Sequence, residues 1–354
     1  MLKKILVLAV ALVCLCAGFA GTAFAQAKTS AERFEALSKD LYPKAQKEGQ
    51  LIIYSQADVE DIVRLTDGFS KQFPGIKVDY WQSESAQIVT RVLTEFRAGK
   101  ASVDVLQHDI DAQILRNAGA TAPFESVQKK DLVVNDPSLA IIGMEVQAVA
   151  YNTKKLKEAD LPKGWEDLPN PRYKGIMALD DPMRGGPLSI QLAILKGSWK
   201  SEAKWTKFLQ GLKSLNVPVH RSTGAMFRLL VAGEFSIAEP ALLHDVLREM
   251  EKGSPVNYVR AVPPVVFPDY LVLYAKAPHP NAAKLFIEWV LSPAGQAAYT
   301  STGRTPNLKG LEVASSLEKA WSPKIKPLST LDPEFVKDQG KWLETYVKPI
   351  WEAK

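Results

Sequence analysis

The sequence predicts an α/β protein built of two lobes. Short apolar runs typical of buried strands alternate with stretches whose apolar residues recur at helical spacing, a pattern that favours parallel sheets covered by helices. The alternation occurs twice, once within residues 51–106 and again within residues 176–238. A chain of 354 residues is long enough for two such units.

The first unit begins after a polar helix, AERFEALSKDLYPKAQKEG, and has three predicted strands, LIIY, IKVDYW and VDVL. The helix between the first two strands carries Val59, Ile62 and Phe69 at helical spacing, and the next helix begins near Ser85. These elements predict a small parallel sheet.

The second unit has the predicted strands IMAL, VPVH and FSIA, with one helix from Pro187 and another near residues 225–232. No internal repeat or low-complexity linker separates the units, so we expect strands that cross between the lobes. The stretch FPDYLVLY is predicted to cross back and places Tyr270 among the candidate site residues.

The first residues read as a secretory leader. Lys3 and Lys4 precede an apolar run, and Ala23 and Ala25 have the spacing of a cleavage site, so residues 1–25 are predicted to be a signal peptide. Both cysteines lie in this leader, which leaves the mature chain without thiols or disulfides. Neither cysteine follows a small residue, so a lipid anchor is not expected, and the product is predicted to be free in the periplasm.

Composition and motifs exclude several classes of function. The net charge is only +5, with two of the lysines in the leader, and no basic run interleaved with aromatic residues indicates nucleic-acid binding. The four histidines lack metal-site spacing, and no nucleophile-elbow, Walker or dinucleotide motif is present. We therefore expect no catalytic residue, no cofactor and no metal site, and a monomer.

The segment DPMRGGPLS has more glycine than a strand-to-helix turn requires. Pro187 is a good first helical residue, so Arg184, Gly185 and Gly186 are in excess of the turn itself. Glycines allow backbone N–H groups to approach an anion, and an arginine can bind it in a bidentate manner. The alternative is a loop with a solvated arginine, in which case Arg184→Ala would leave the affinity unaltered; in both cases we expect the fold to survive the substitution.

Other strand ends also carry polar residues ahead of helices. Ser83 and Ser85 lie in WQSESAQ, and Ser222 and Thr223 lie in HRSTGAMF; each pair is either an N-cap or a ligand contact. Tyr54 and Ser55 end the first strand, where Tyr54 is either a ligand group or part of the core.

Four stretches resemble solute-binding proteins of ABC importers, in the group of ferric-ion, phosphonate and sugar-phosphate binders. They are EGQLIIYSQ, VAYNTKKL with LPKGWEDLPNPRYKGIMALDDP, LLVAGEFSIA and APHPNAAKLFIEWVLSPAGQ. The resemblance implies a type-2 periplasmic binding fold with a hinge and a cleft between the lobes. It gives residues 26–148 and 262–310 to the N-terminal lobe, and 149–261 and 311–354 to the C-terminal lobe.

The resemblance also bears on the ligand. It places an anion contact at or next to Thr223, whereas the tyrosine pair that ferric binders carry after their GE is replaced here by Leu243 and His244. Phenolate oxygens are suitable ligands for ferric iron, whereas a leucine side chain offers no ligand atom. His244 is either a ligand contact or part of a packed helix face. The expected function is capture of a small organic phosphate, phosphonate or carboxylate for a membrane permease. Ferric iron with a synergistic anion, a sensory role and an enzyme are the alternatives.

Overall fold

The computed structural model describes residues 29–109 and 112–353, so the predicted signal peptide lies outside the described residues. The strands are β1 (Gln50–Ser55), β2 (Lys77–Gln82), β3 (Val105–His108), β4 (Ala140–Asn152), β5 (Met177–Asp180), β6 (Val219–His220), β7 (Ile237–Leu242), β8 (Val256–Tyr258), β9 (Val265–Leu273) and β10 (Thr305–Pro306).

The longer helices are α1 (Ser30–Glu48), α2 (Val59–Gln72), α3 (Ser85–Arg97), α4 (Ala112–Asn117), α5 (Pro187–Trp199), α6 (Glu202–Ser214), α7 (Thr223–Ala232), α8 (Leu243–Glu251), α9 (Pro280–Leu291) and α10 (Pro293–Thr300). Short helices α11 (Leu317–Ala320), α12 (Pro333–Lys337), α13 (Gln339–Trp342) and α14 (Lys348–Trp351) follow, with a π turn at Leu343–Val347 and 3-10 turns at Glu158–Asp160, Trp165–Asp167 and Pro171–Tyr173. Among the described residues, no helix combines the length and apolarity needed to cross a membrane.

The strands form one sheet in the order β2-β1-β3-β9-β4-β7-β5-β6, with β8 and β10 also paired to β4. Strands β1, β2 and β3 are parallel, and so are β7, β5 and β6. Between these two parallel groups, β4 and β9 run antiparallel to each other and to their outer neighbours. The sheet therefore has a parallel half in each predicted unit.

Two lobes pack around separate cores. Helices α1, α2 and α9 bury Phe69, Phe286 and Trp289 against the β1 half of the sheet. Helices α5 and α6 bury Trp205 against the β5 half, together with Trp342 of α13. The α/β fold with two lobes is thus confirmed.

The crossing strands β4 and β9 belong to both cores. Along β4, Ile142 packs in the first lobe and Val146 in the second. Along β9, Phe267 packs in the second lobe and Leu271 in the first. The lobe boundaries after residues 148 and 261 stay a prediction. Within β4 and β9, the side chains pass from the core of one lobe to the core of the other, near these two positions.

Candidate functional site

A cavity of about 280 Å³ lies between the lobes. Its first-lobe side is formed by Gln56, Ala57, Asp58, Gln82, Glu84, Ser85, Gln107, Asp109 and Arg304. Its second-lobe side is formed by Arg184, Pro187, Ile190, Ser222, Thr223, Gly224, Arg228, Leu242 and His244, and the crossing strands add Glu145, Phe267 and Asp269.

The cavity lies at the carboxyl ends of the parallel strands from both lobes. Strands β1, β2 and β3 end just before Gln56, Glu84 and Asp109. Strands β5 and β6 end just before Arg184 and Ser222, and β7 ends at Leu242. Ligands of open α/β sheets bind at this edge, so the topology itself places the site between the lobes.

Arg184 is held in the second-lobe wall by the buried carboxylate of Asp180. Arg184 Nε donates to Asp180 Oδ1 at 2.9 Å, and Nη2 donates to Asp180 Oδ2 at 3.2 Å and to Thr223 Oγ1 at 3.0 Å. Burial raises the pKa of Asp180, although Arg184 acts in the opposite direction. The guanidinium is thus fixed in orientation next to Thr223, as an anion-binding arginine requires.

The two glycines of DPMRGGPLS position Arg184. A Cβ on Gly186 would lie 2.4 Å from Arg184 Cζ, so the guanidinium occupies the space that a side chain would need. Gly185 has φ of +76°, which favours glycine, and its carbonyl accepts a hydrogen bond from Gln339. Neither glycine lines the cavity.

Five helices begin at the cavity, namely α2, α3, α5, α7 and α8. The N-cap side chains of α2, α3 and α8 accept no hydrogen bond from their helices. Away from the cavity, the N-cap side chain accepts such a hydrogen bond in α1, α6, α10, α12 and α13 but not in α9, α11 and α14. The helix termini at the cavity consequently present N–H groups and positive potential to a bound group.

The other two helices at the cavity have acceptors in place. Ser222 Oγ accepts from the Ala225 N–H of α7 at 3.2 Å, so the predicted capping role of Ser222 is present alongside its position in the cavity wall. Asp180 accepts from the Leu188 N–H of α5 at 3.2 Å. Asp180 therefore orients Arg184 and α5 together.

The first-lobe wall is rich in hydrogen-bond acceptors. The carboxylates of Asp58, Glu84 and Asp109 lie there, with the side-chain amides of Gln56 and Gln82. Amides both donate and accept, whereas carboxylates only accept when ionised. This wall suits hydroxyl or ammonium groups of a solute, while the Arg184 wall suits its anionic end.

A buried ionic network forms the floor of the cavity. Arg304 Nε donates to Asp61 Oδ2 at 2.7 Å, and its Nη1 contacts Glu145 and lies 3.7 Å from Asp269 Oδ2. Burial would raise the pKa of Asp61, but Arg304 and His244 outweigh it, and the pKa is lowered. Arg304 thus joins the first lobe to both crossing strands.

Asp269 is the member of this floor that titrates near neutrality. Burial raises its pKa to about 7, although hydrogen bonds from Tyr299 Oη at 2.8 Å and Gln107 Nε2 at 3.4 Å act to lower it. The charge of the cavity floor therefore changes within the physiological pH range.

His244 lies in the cavity wall and is buried. Its Nδ1 is 3.7 Å from Glu145 Oε2, and its Nε2 is 3.6 Å from Asp245 Oδ1. Asp58, His244 and Asp245 each offer one ligand atom within 4.8 Å of one another, a spacing that could hold a metal ion. The neighbouring Leu243 is buried in the second-lobe core.

Several predicted residues lie away from the cavity. Tyr54 packs against Trp81 and Arg91, in the core beneath α3. Tyr270 is buried and its hydroxyl accepts a hydrogen bond from Gln113. Of the predicted set, Ser85, Arg184, Ser222, Thr223 and His244 line the cavity, whereas Tyr54, Ser55, Ser83, Gly185, Gly186 and Tyr270 do not.

Ser55 and Ser83 make local contacts at the strand ends. Ser55 Oγ donates to Gln107 Oε1 at 3.0 Å and accepts from the Ala57 N–H. Ser83 Oγ donates to Gln87 Oε1 at 2.5 Å. Ser55 thereby holds two cavity residues, Gln107 and Ala57, in place.

Sequence reasoning missed Glu145, Asp61 and Arg304, and it left open whether Asp269 in FPDYLVLY reaches the cleft. Glu145 and Asp269 are each a single acidic residue in a long apolar strand. Because a buried charge is costly, such a residue indicates a functional group, and this pattern is visible in the sequence. Arg304 lies between α10 and β10 with no motif around it. Its pairing with Asp61 spans 243 positions of sequence and depends on the tertiary fold.

Residues 64–324 match the family described as bacterial extracellular solute-binding protein. Because the match covers most of the chain, the chain belongs to this family. The family consists of binding proteins, which is consistent with the expected absence of catalysis.

Similarity to individual proteins agrees with this assignment. The Fe(3+)-binding periplasmic protein of Serratia marcescens is 26% identical over 294 residues, covering 80% of this chain and 83% of that protein. A substrate-binding protein of an ABC transporter from Agrobacterium tumefaciens has a TM-score of 0.72 at 16% identity, covering 87% of this chain and 97% of that chain. AfuA from Actinobacillus pleuropneumoniae, bound to fructose-6-phosphate, has a TM-score of 0.70 at 19% identity, covering 84% of this chain and 98% of that chain. The expected type-2 periplasmic binding fold is confirmed.

Proposed function

We propose that the chain is the periplasmic substrate-binding subunit of an ABC importer and that it captures a small organic anion between its lobes. The main support for this proposal is Arg184, which is oriented by buried Asp180 and donates a hydrogen bond to Thr223 in the cavity wall. Its Nε and Nη2 are taken up by Asp180 and Thr223, so Nη1 is the nitrogen that we expect to bind a ligand oxygen.

The two walls define the solute more narrowly. An anionic group bound by Arg184 would also meet the N-termini of α5 and α7, where negative charge is favoured. The opposite wall of Gln56, Gln82 and Glu84 provides acceptors for hydroxyl groups. A phosphorylated or phosphonylated compound with hydroxyl groups satisfies both walls better than a bare inorganic anion.

A thermal-shift screen of the mature protein tests this proposal. Fructose 6-phosphate, glycerol 3-phosphate, a phosphonate, citrate and inorganic phosphate are the probes. A ligand that binds the folded state at 100 times its dissociation constant adds about 2.7 kcal/mol of stability. We expect stabilisation by an organic phosphate or phosphonate that exceeds that by inorganic phosphate. Stabilisation by none of the five would overturn the proposal.

Closure provides a second readout for any probe that binds. A ligand that contacts both walls favours the arrangement in which the lobes are close, by the difference in its affinity for the two states. Small-angle scattering should then give a smaller radius of gyration with the bound probe. A radius that increases with the bound probe would contradict a ligand shared between the lobes.

Ferric iron with a synergistic anion is the second candidate. The group of Asp58, His244 and Asp245 favours it, since these side chains could donate carboxylate and imidazole ligands to one ion. The tyrosine pair of ferric binders is absent at residues 243 and 244, so iron bound here would lack the visible tyrosinate absorption. Stoichiometric iron after loading with ferric citrate, lost in His244→Ala, would support this candidate over the first.

A further inference from the structure

Arg248 of α8 spans the mouth of the cleft. From the second lobe it reaches α2 of the first lobe, with Nη2 3.2 Å from Asp58 Oδ2 and Nη1 3.4 Å from Asp61 Oδ1 and 3.7 Å from Glu60 Oε2. Asp245, one turn earlier on α8, contacts the same guanidinium from its own lobe.

Burial makes these contacts stronger than ordinary surface pairs. The Arg248 side chain is 17% exposed and that of Asp61 is 4% exposed, whereas Asp58 and Glu60 are largely exposed. Burial of the guanidinium lowers the pKa of Arg248, but the adjacent carboxylates outweigh it and the pKa is raised. Exposed pairs contribute little to stability, so the pair with Asp61 carries most of the effect.

The contacts border the solute cavity. A second cavity of about 470 Å³ adjoins the first and is lined by Glu60, Arg248 and Lys252 among others. Asp58, Gly224, Arg228 and Leu242 line both cavities. Arg248 thus lines the second cavity and contacts Asp58, which also lines the solute cavity.

We propose that Arg248 is an electrostatic latch that holds the two lobes together across the cleft, independently of the bound solute. The pairs with Asp58, Glu60 and Asp61 form only while α8 lies against α2, so they stabilise the closed arrangement alone. Loss of the buried pair with Asp61 together with the two exposed pairs should shift the open-to-closed ratio about tenfold, most of it from the buried pair. The latch determines the open-to-closed ratio of the solute-free protein, a property that goes beyond the proposed capture of a solute.

Small-angle scattering of the solute-free protein tests the latch. The mature chain is refolded from guanidinium chloride to remove bound solute and measured at about 20 mM and 1 M sodium chloride, between which the screening length falls from more than 10 Å to about 3 Å. We expect the radius of gyration of the wild type to increase with salt. Arg248→Gln should have the larger radius at both salt concentrations.

Two further variants make the test specific. Lys252→Gln removes a cation from the next turn of α8 that pairs only with Glu249 of the same helix among the described residues, and its radius should equal that of the wild type. Asp58→Asn with Arg248→Gln should expand the protein no more than Arg248→Gln alone, since the Asp58 carboxylate contributes to the latch only through its contact with Arg248. Equal radii for wild type and Arg248→Gln at low salt would overturn the proposal. Circular dichroism of each variant confirms that it is folded.

Discussion

The guanidinium of Arg184 lies against the backbone of Gly186, with Arg184 Cζ only 2.4 Å from the place of a Cβ on that glycine. A side chain at residue 186 and the present position of Arg184 are mutually exclusive. The proposed role of Arg184 in solute binding therefore depends on the glycine at residue 186.

Gly186→Ala should displace Arg184 from the cavity wall. We expect affinity for the best binder of the phosphate panel to fall about tenfold or more, because a bond to a charged group is worth about 1.5–3 kcal/mol. Isothermal titration calorimetry measures this. Gly340→Ala, where a new Cβ would meet nothing closer than 3.7 Å, is the matched control. Unchanged affinity in Gly186→Ala would show that Arg184 does not bind the solute.

Arg184→Ala should weaken binding of the same probe by roughly ten- to a hundredfold. It should also destabilise the fold, by about 1–3 kcal/mol, because buried Asp180 loses its cation. A solvated loop arginine would have no such effect. Arg221→Ala removes a guanidinium that is 92% exposed, and it should change neither quantity. Arg184→Lys, which keeps a cation beside Asp180, should recover stability more than affinity, as urea unfolding and calorimetry can show.

Asp269 should make anion binding depend on pH. Its raised pKa of about 7 means that it is neutral below pH 7 and negative above, so the cavity repels an anion more at pH 8 than at pH 6. Affinity for a sulfonate probe, whose own charge is constant over this range, should fall from pH 6 to pH 8 in the wild type. Asp269→Asn should bind it equally at both values, and an unaltered pH slope in this variant would contradict the assignment.

Glu239 should make stability depend on pH. It is buried in β7, hydrogen-bonded to Gln191 Nε2, and burial raises its pKa to about 8. The pKa of Glu239 is higher in the folded state than in the unfolded state. Glu239 therefore stabilises the folded state fully below about pH 4.3, and this stabilisation is lost as the pH rises to about 8. Urea unfolding should show Glu239→Gln to be the more stable protein at pH 8.5, by an amount on the order of a few kcal/mol. Exposed Glu251→Gln should have no such effect.

The sequence predicted most helices and strands of the two parallel units because their signals are local, although β3 begins two residues after the start of VDVL and α6 was not predicted. The helix expected near Ser85 begins at Ser85, and the helix expected from Pro187 begins at Pro187. Periodicity does not show which face of a strand meets the cleft, which is why Tyr54 was a candidate although it packs beneath α3. Arg184 could be predicted as a site residue because the glycines that indicate it, Gly185 and Gly186, follow it directly in the sequence.

The ionic floor of the site could not be derived in the same way. Asp61 and Arg304 meet only because α2 and the segment before β10 fold against the same crossing strands. Their residue types carry no spacing signal, since each partner lies in a different part of the chain. Likewise, Asp180 could be read as the last residue of a strand but not as the buried partner of Arg184.

The contact between α1 and α9 has a consequence for how the chain is made. Glu48 at the end of α1 accepts hydrogen bonds from the Asn281 and Ala282 N–H groups at the start of α9, and β3 pairs with β9. The first lobe therefore lacks a strand and a principal core helix until about residue 291 has left the ribosome, long after its first three strands have emerged. A nascent chain in this condition leaves an apolar sheet face and a strand edge uncovered, so the first lobe cannot complete its core before the second lobe has been synthesised.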